Sequence, residues 1–151
     1  MTRDQPHTAN DNRAGGNTDE DRCVDSDGAP LRRGGISIGN VAVAETIYRH
    51  RAMRADLFGA STFNDPAWDI LLHLYIIRGR GRTETITQVC DAARCPPTTA
   101  MRWLGILESQ GRVARQAHGQ DRRKQIVALT DEGTGLMTRF VESVTGALMI
   151  N

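Results

Sequence analysis

The 151-residue chain is long enough for one domain with a substantial core, and its formal charge of +1 argues by itself for no class of partner. No run of about 18 apolar residues occurs, which excludes a membrane-spanning helix. The three cysteines, Cys23, Cys90 and Cys95, are an odd number, which argues against a secreted disulfide framework. Charge distribution says more than the total. Residues 1–35 hold five Arg against seven acids, whereas residues 66–130 hold ten basic residues against five acids, a net +5. A locally basic middle in a near-neutral chain is the footprint of a phosphate-binding segment.

Residues 1–35 contain almost no large apolar residues and no periodicity. Such a segment cannot bury enough surface to offset its ordering entropy, so a disordered arm is expected there. It has no apolar h-region, so no signal peptide is expected and the cytoplasm is the expected location. From Ile36 to Phe58 the chain is helical in character, with Val41, Val43, Ala44, Ile47 and Tyr48 in an apolar stripe that is not sharply bounded. Gly59 to Asn64 reads as a loop. Asp65 and Pro66 have the residue types of a helix cap and first helical position. Trp68, Leu71, Leu72, Tyr75 and Ile76 follow at helical spacing, widened by Ile70, Leu74 and Ile77, which predicts the most buried helix. Gly79 and Gly81 form a Gly-x-Gly pair after that helix, not after a strand, and no third glycine follows at the fingerprint position. A plain connector is expected there, not a phosphate loop.

The stretch from Thr85 to Gly111 predicts two short helices around a tight turn. Thr85 and Gln88 have capping-box spacing, and Ile86, Val89, Cys90 and Ala93 share one face. Pro97 suits the first position of a second helix and pushes Pro96 out of helical geometry. Ala100, Trp103, Leu104 and Leu107 form the inner face of that helix, and Gly111 is a natural stop. Its outer face carries Thr98, Thr99, Met101, Arg102 and Gly105. Two helices with buried inner faces and a polar outer face on the second make a helix-turn-helix, whose outer face enters the major groove.

Val113 to Ala117 and Gln125 to Leu129 are strand-like. Between them, His118 to Lys124 is expected to be a polar turn with Arg122, Arg123 and Lys124 at a basic tip, a wing behind the recognition helix. Thr130 then caps a last helix with Leu136, Phe140, Val144 and Leu148 along one side and Met137 and Val141 beside them. That is more apolar surface than one small core needs, and association is the expectation. The fold class is thus mainly α with a β-hairpin wing. Residues 65–130 form the DNA-binding core, and residues 36–64 and 131–151 the dimerisation elements.

This order of elements resembles the MarR-type (multiple antibiotic resistance regulator) winged-helix transcription factors, in outline over residues 40–149 and in motif detail over 63–133. The most specific match is the wing pattern Asp-x-Arg, five residues, Leu-Thr, here Asp121, Arg123, Leu129 and Thr130. The resemblance implies that Asp121 and Arg123 brace the wing turn. It also implies that Thr98, Thr99 and Arg102 face the major groove while Arg122 and Arg123 serve the wing. Gly105 departs from the family, which often has a longer polar residue on the groove side. One helix after the wing implies a smaller dimer interface than usual. The implied partners are a second copy of the chain and an inverted-repeat double-stranded operator.

Each singled-out residue also has a plainer explanation. Arg102 is either a base reader or a solvated cation, and the downstream wing favours the first. Arg122, Arg123 and Lys124 are either a solvated turn or a phosphate or minor-groove contact, and wing position favours contact. Cys90 falls on a buried face and its spacing to Cys95 is not that of a redox pair. His7, His50, His73 and His118 have no partners at metal-ligand spacing, and Trp68 and Trp103 are core by default. No catalytic motif occurs, so neither enzyme activity nor a cofactor is expected. Two functions remain: a sequence-specific DNA-binding regulator, or a winged-helix adaptor for protein contact, which would not need a basic wing. Operator, effector and direction of regulation are not legible in the sequence.

Overall fold

A computed structural model of the chain describes residues 35–119 and 121–149, so the arm expected over 1–35 lies almost wholly outside the described residues. Helix α1 (Ile38–Phe58) starts where the Ser37 hydroxyl accepts from the Asn40 amide at 3.1 Å. It stops at Gly59, whose φ of 94° glycine adopts without strain. A single 3-10 turn at Ala60–Thr62 leads to helix α2 (Pro66–Gly79), capped by the Asp65 carboxylate on the Trp68 amide at 3.3 Å. A two-residue strand β1 (Glu84–Thr85) precedes helix α3 (Ile86–Ala92) and helix α4 (Pro97–Ser109). Strands β2 (Val113–His118) and β3 (Asp121–Leu129) form the hairpin, and helix α5 (Asp131–Met149) closes the order.

The three strands form one antiparallel sheet in the order β1-β3-β2. Strand β1 was not expected from the sequence. It pairs Glu84 with Val127 and Thr85 with Ile126, so the hairpin is stitched back to the start of the helix-turn-helix.

Helix α2 is the centre of the core, as its apolar content predicts, but its burial is not one stripe. Ile70, Leu72, Leu74, Tyr75, Ile76 and Ile77 are all buried, whereas Trp68 and Leu71 are half-buried. The cause is that α2 touches α1, α3, α4, β3 and α5, so more than one of its sides is covered. The Gly-x-Gly pair is a connector with two structural tasks. Gly81 at φ 67° completes a Schellman-type stop, with Gly81 N–H on Arg78 O and Arg82 N–H on Ile77 O, both at 3.0 Å. Gly79 gives Ile36 and Val41 room to pack on the helix end, since a Cβ there would strike Val41.

Helix α1 holds to α2 partly by charge. Arg51 Nε lies 2.6 Å from Asp69 Oδ1, and Asp69 is only 5% exposed, so each group satisfies the other in a largely desolvated position. On α5, Met137 and Val141 enter the core while Leu136 and Val144 are half-buried. Phe140 stays 41% exposed and meets the Trp68 ring edge-on at 4.7 Å. The side chain of Leu148 lies outside the described residues.

Candidate nucleic-acid interface

The helix-turn-helix is built by local rules. Thr85 and Gln88 form both halves of a capping box at the start of α3. Pro96 takes ψ 142°, extended as the residue before a proline must be, and Pro97 opens α4. Ala100, Leu104 and Leu107 are buried and Trp103 is half-buried against the core, so the inner face is the one the apolar spacing predicts. Thr98, Met101 and Arg102 are exposed on the other side, with Thr99 half-buried. Nothing lies within 4 Å of where a Gly105 Cβ would stand. Gly111 at φ 69° ends the helix with a second Schellman pair, Gly111 N–H on Glu108 O and Arg112 N–H on Leu107 O, both 2.9 Å.

The wing differs from expectation at its tip. His118 pairs with Asp121, so only residues 119 and 120 separate the strands, with Gly119 at φ 50°. The cations do not form the turn. Arg122, Arg123 and Lys124 belong to β3, where they face a register shift: Ala117 pairs with Gln125 and the next residue, His118, with Asp121. A bulge of this kind turns side chains out of the ladder. Arg123 and Lys124 are exposed, while the side chains of Asp121 and Arg122 lie outside the described residues, and with them the expected Asp121–Arg123 brace.

Ion pairs take up part of the basic charge counted from the sequence. Arg78 bonds the Leu129 carbonyl at 2.7 Å and Asp131 at 2.8 Å, tying α2 to the end of the wing and the start of α5. Arg80 reaches Glu45 at 2.7 Å, Arg115 reaches Glu108 at 3.1 Å, and Arg112 pairs with Glu132. Arg82, Arg102, Arg123 and Lys124 are exposed.

Residues 67–133 match the family described as a winged helix DNA-binding domain. This segment is a winged helix. No curated protein matches the chain at a significant level. Among solved structures, a protein of Archaeoglobus fulgidus is 20% identical, the match covering 63% of this chain and 96% of that one, with a TM-score of 0.47. A MarR family transcriptional regulator from Silicibacter pomeroyi is 24% identical, covering 70% and 71%, with a TM-score of 0.44. A MepR variant from a multidrug-resistant S. aureus clinical isolate is 17% identical, covering 72% and 73%, with a TM-score of 0.49.

Within the winged helix, Cys90 is buried and Cys95 half-buried, and neither is in a disulfide. Burial pushes both thiols up from their usual value, with Asp91 adding to it at Cys90, and Cys90 and Asp69 at Cys95. Among the described residues no group of three or more His, Cys, Asp or Glu is arranged to hold a metal ion. His73 instead meets Glu84 at 2.5 Å, linking α2 to β1. Two shallow clefts flank α1. One of about 220 Å³ lies between Arg51, Phe63 and Arg94, the other of about 360 Å³ between Tyr48, Arg49, His73 and Arg80. No described helix is long and apolar enough to cross a membrane.

The sequence placed Tyr48 only in an apolar stripe and marked none of Arg94, Arg78 or Glu84, yet these four make tertiary hydrogen bonds between elements. Their partners lie 11 to 53 residues away, and no local spacing marks such pairs.

Proposed function

We propose that this chain is a dimeric, sequence-specific transcriptional regulator of MarR type that acts on cytoplasmic DNA and is not an enzyme. Helix α4 lies in the major groove, with Thr98, Thr99, Met101 and Arg102 toward base edges. The wing, with Arg122, Arg123 and Lys124, rests on the backbone or minor groove. The observation that carries this is the two-sidedness of α4: its apolar face is consumed by the core, while Thr98, Met101 and Arg102 are left facing water. The wing that follows presents exposed Arg123 and Lys124.

Dimerisation through residues 40–58 and 131–149 is supported by apolar side chains the core does not use, Met53 at 53%, Leu57 at 71% and Phe140 at 41% exposure. Two recognition helices would then address half-sites about 34 Å apart in an inverted repeat. The adaptor reading draws on the ion pairs of Arg78, Arg80, Arg112 and Arg115, which leave less unpaired positive charge than the sequence count implies.

Selection on a random duplex pool, with sedimentation of the free protein at micromolar concentration, tests this function. Recovery of an inverted repeat together with a dimer supports it. A monomer that enriches no sequence would favour the adaptor.

A further inference from the structure

Tyr48 lies near the middle of α1, far in sequence from the helix-turn-helix, yet it grips the turn of that motif in two ways. Its hydroxyl donates to the Ala92 carbonyl at 2.7 Å, the last residue of α3. Its ring lies under the Arg94 guanidinium at 4.3 Å, and Arg94 Nη2 also donates to the Tyr48 carbonyl at 3.4 Å. Arg94 is the one non-glycine residue at positive φ (53°) among the described residues, just past the C-cap of α3 where glycine is the usual occupant. A side chain there is held in a conformation that glycine would take freely. The turn that sets where Pro97 starts the recognition helix is therefore fastened to α1 through side chains. A second foot of the same contact reaches the wing, because the Tyr48 ring sits 6.0 Å from His73, whose imidazole meets Glu84 on β1.

We propose that Tyr48 and Arg94 are positioning residues for DNA reading: they latch the α3–α4 turn to α1 and so fix the angle at which α4 meets the groove. This rests on the DNA-reading function proposed above. It adds that α1, the helix offered to a second copy, governs the recognition helix directly. A latch of this kind acts on discrimination between duplexes more than on folding, because α2 supplies the core whether or not the turn is fastened. Tyr48→Phe removes only the hydroxyl bond. Arg94→Gly removes the guanidinium while suiting the backbone, so a loss of function there cannot come from backbone strain.

The test is made on the full chain in two parts. Amide hydrogen exchange of the free protein should show Ala93, Arg94 and Thr99 exchanging about three- to tenfold faster in Tyr48→Phe, with the α2 amides unchanged. For Arg94→Gly the same holds at Ala93 and Thr99. On the duplex recovered by selection, the cognate-to-scrambled affinity ratio should fall about three- to tenfold in each variant. It should fall by less than the product in the double variant, since both residues hold one turn. Unchanged exchange at the turn would overturn the latch whatever the DNA result. Faster exchange with the full ratio retained would overturn its role in reading. A wild-type protein that discriminates no duplex would overturn the DNA-reading function, and the positioning role with it.

Discussion

The Thr130 hydroxyl donates to the Gly111 carbonyl at 2.7 Å, joining the residue that stops α4 to the residue that starts α5. The same oxygen accepts from the Gly133 amide at 3.0 Å, so one side chain caps α5 and closes the base of the wing. Thr130→Ala should therefore cost more than a simple cap, about 1–2 kcal/mol, read as a lower urea midpoint with unchanged slope. An unchanged midpoint would show that water replaces both bonds.

Three glycines in the helices should respond in opposite directions to alanine. At Gly133 a Cβ would strike the Arg112 carbonyl, a backbone atom held by the wing, so Gly133→Ala should destabilise by about 1–3 kcal/mol. At Gly105 and Gly135 nothing lies within 4 Å of the added carbon, and each should gain up to about 1 kcal/mol from helix propensity. Thermal melts of the three variants decide it. A stabilised Gly133→Ala would mean that the α5–wing junction yields easily.

Burial holds the Tyr48 phenol above its usual value of 10.0, with Arg94 pulling the other way. A raised folded-state value favours the neutral form in the fold. The stability it contributes is complete below about pH 10 and is lost as pH rises through the folded value. The stability gap between the wild type and Tyr48→Phe should thus be largest near neutrality and shrink above pH 10. Urea midpoints of both proteins between pH 7 and 11 measure it, and a gap that widens with pH would contradict the burial account.

Cys90 and Cys95 should resist alkylation in the folded protein, because burial disfavours the reactive thiolate at both. Mass spectrometry after iodoacetamide at pH 7.5 should show both thiols modified far more slowly than in urea. Rapid native modification of Cys95 would place it in a reactive setting.

What the sequence made legible was local. Asp65–Pro66, Thr85–Gln88, Pro96–Pro97, Gly111 and Thr130 mark boundaries because a cap or stop is decided by atoms within four residues. The outer face of α4 follows from helical spacing alone. Strand β1 escaped because two residues carry no periodicity and their partner, Ile126–Val127, lies some 40 positions on. Arg51–Asp69 and Tyr48–Arg94 are tertiary pairs of the same kind. At the wing tip, composition misleads because a run of cations resembles a turn. The register of β2 on β3 instead puts the turn at Gly119, two residues before Asp121.

The most direct test of the central claim is a salt titration of Arg102→Ala and Arg123→Ala on cognate and scrambled duplexes. Arg102 is exposed on the outer face of α4, so its loss should cost about 1–3 kcal/mol on the cognate site and relax preference at one base pair per half-site. Arg123 is exposed on the wing, and losing one from each protomer should flatten the slope of log K against log salt by up to about 1.8, weakening both duplexes together. An Arg102→Ala protein that keeps its full cognate-to-scrambled ratio would contradict base reading by α4. If neither variant changed binding to any duplex, the winged helix would not be a DNA reader.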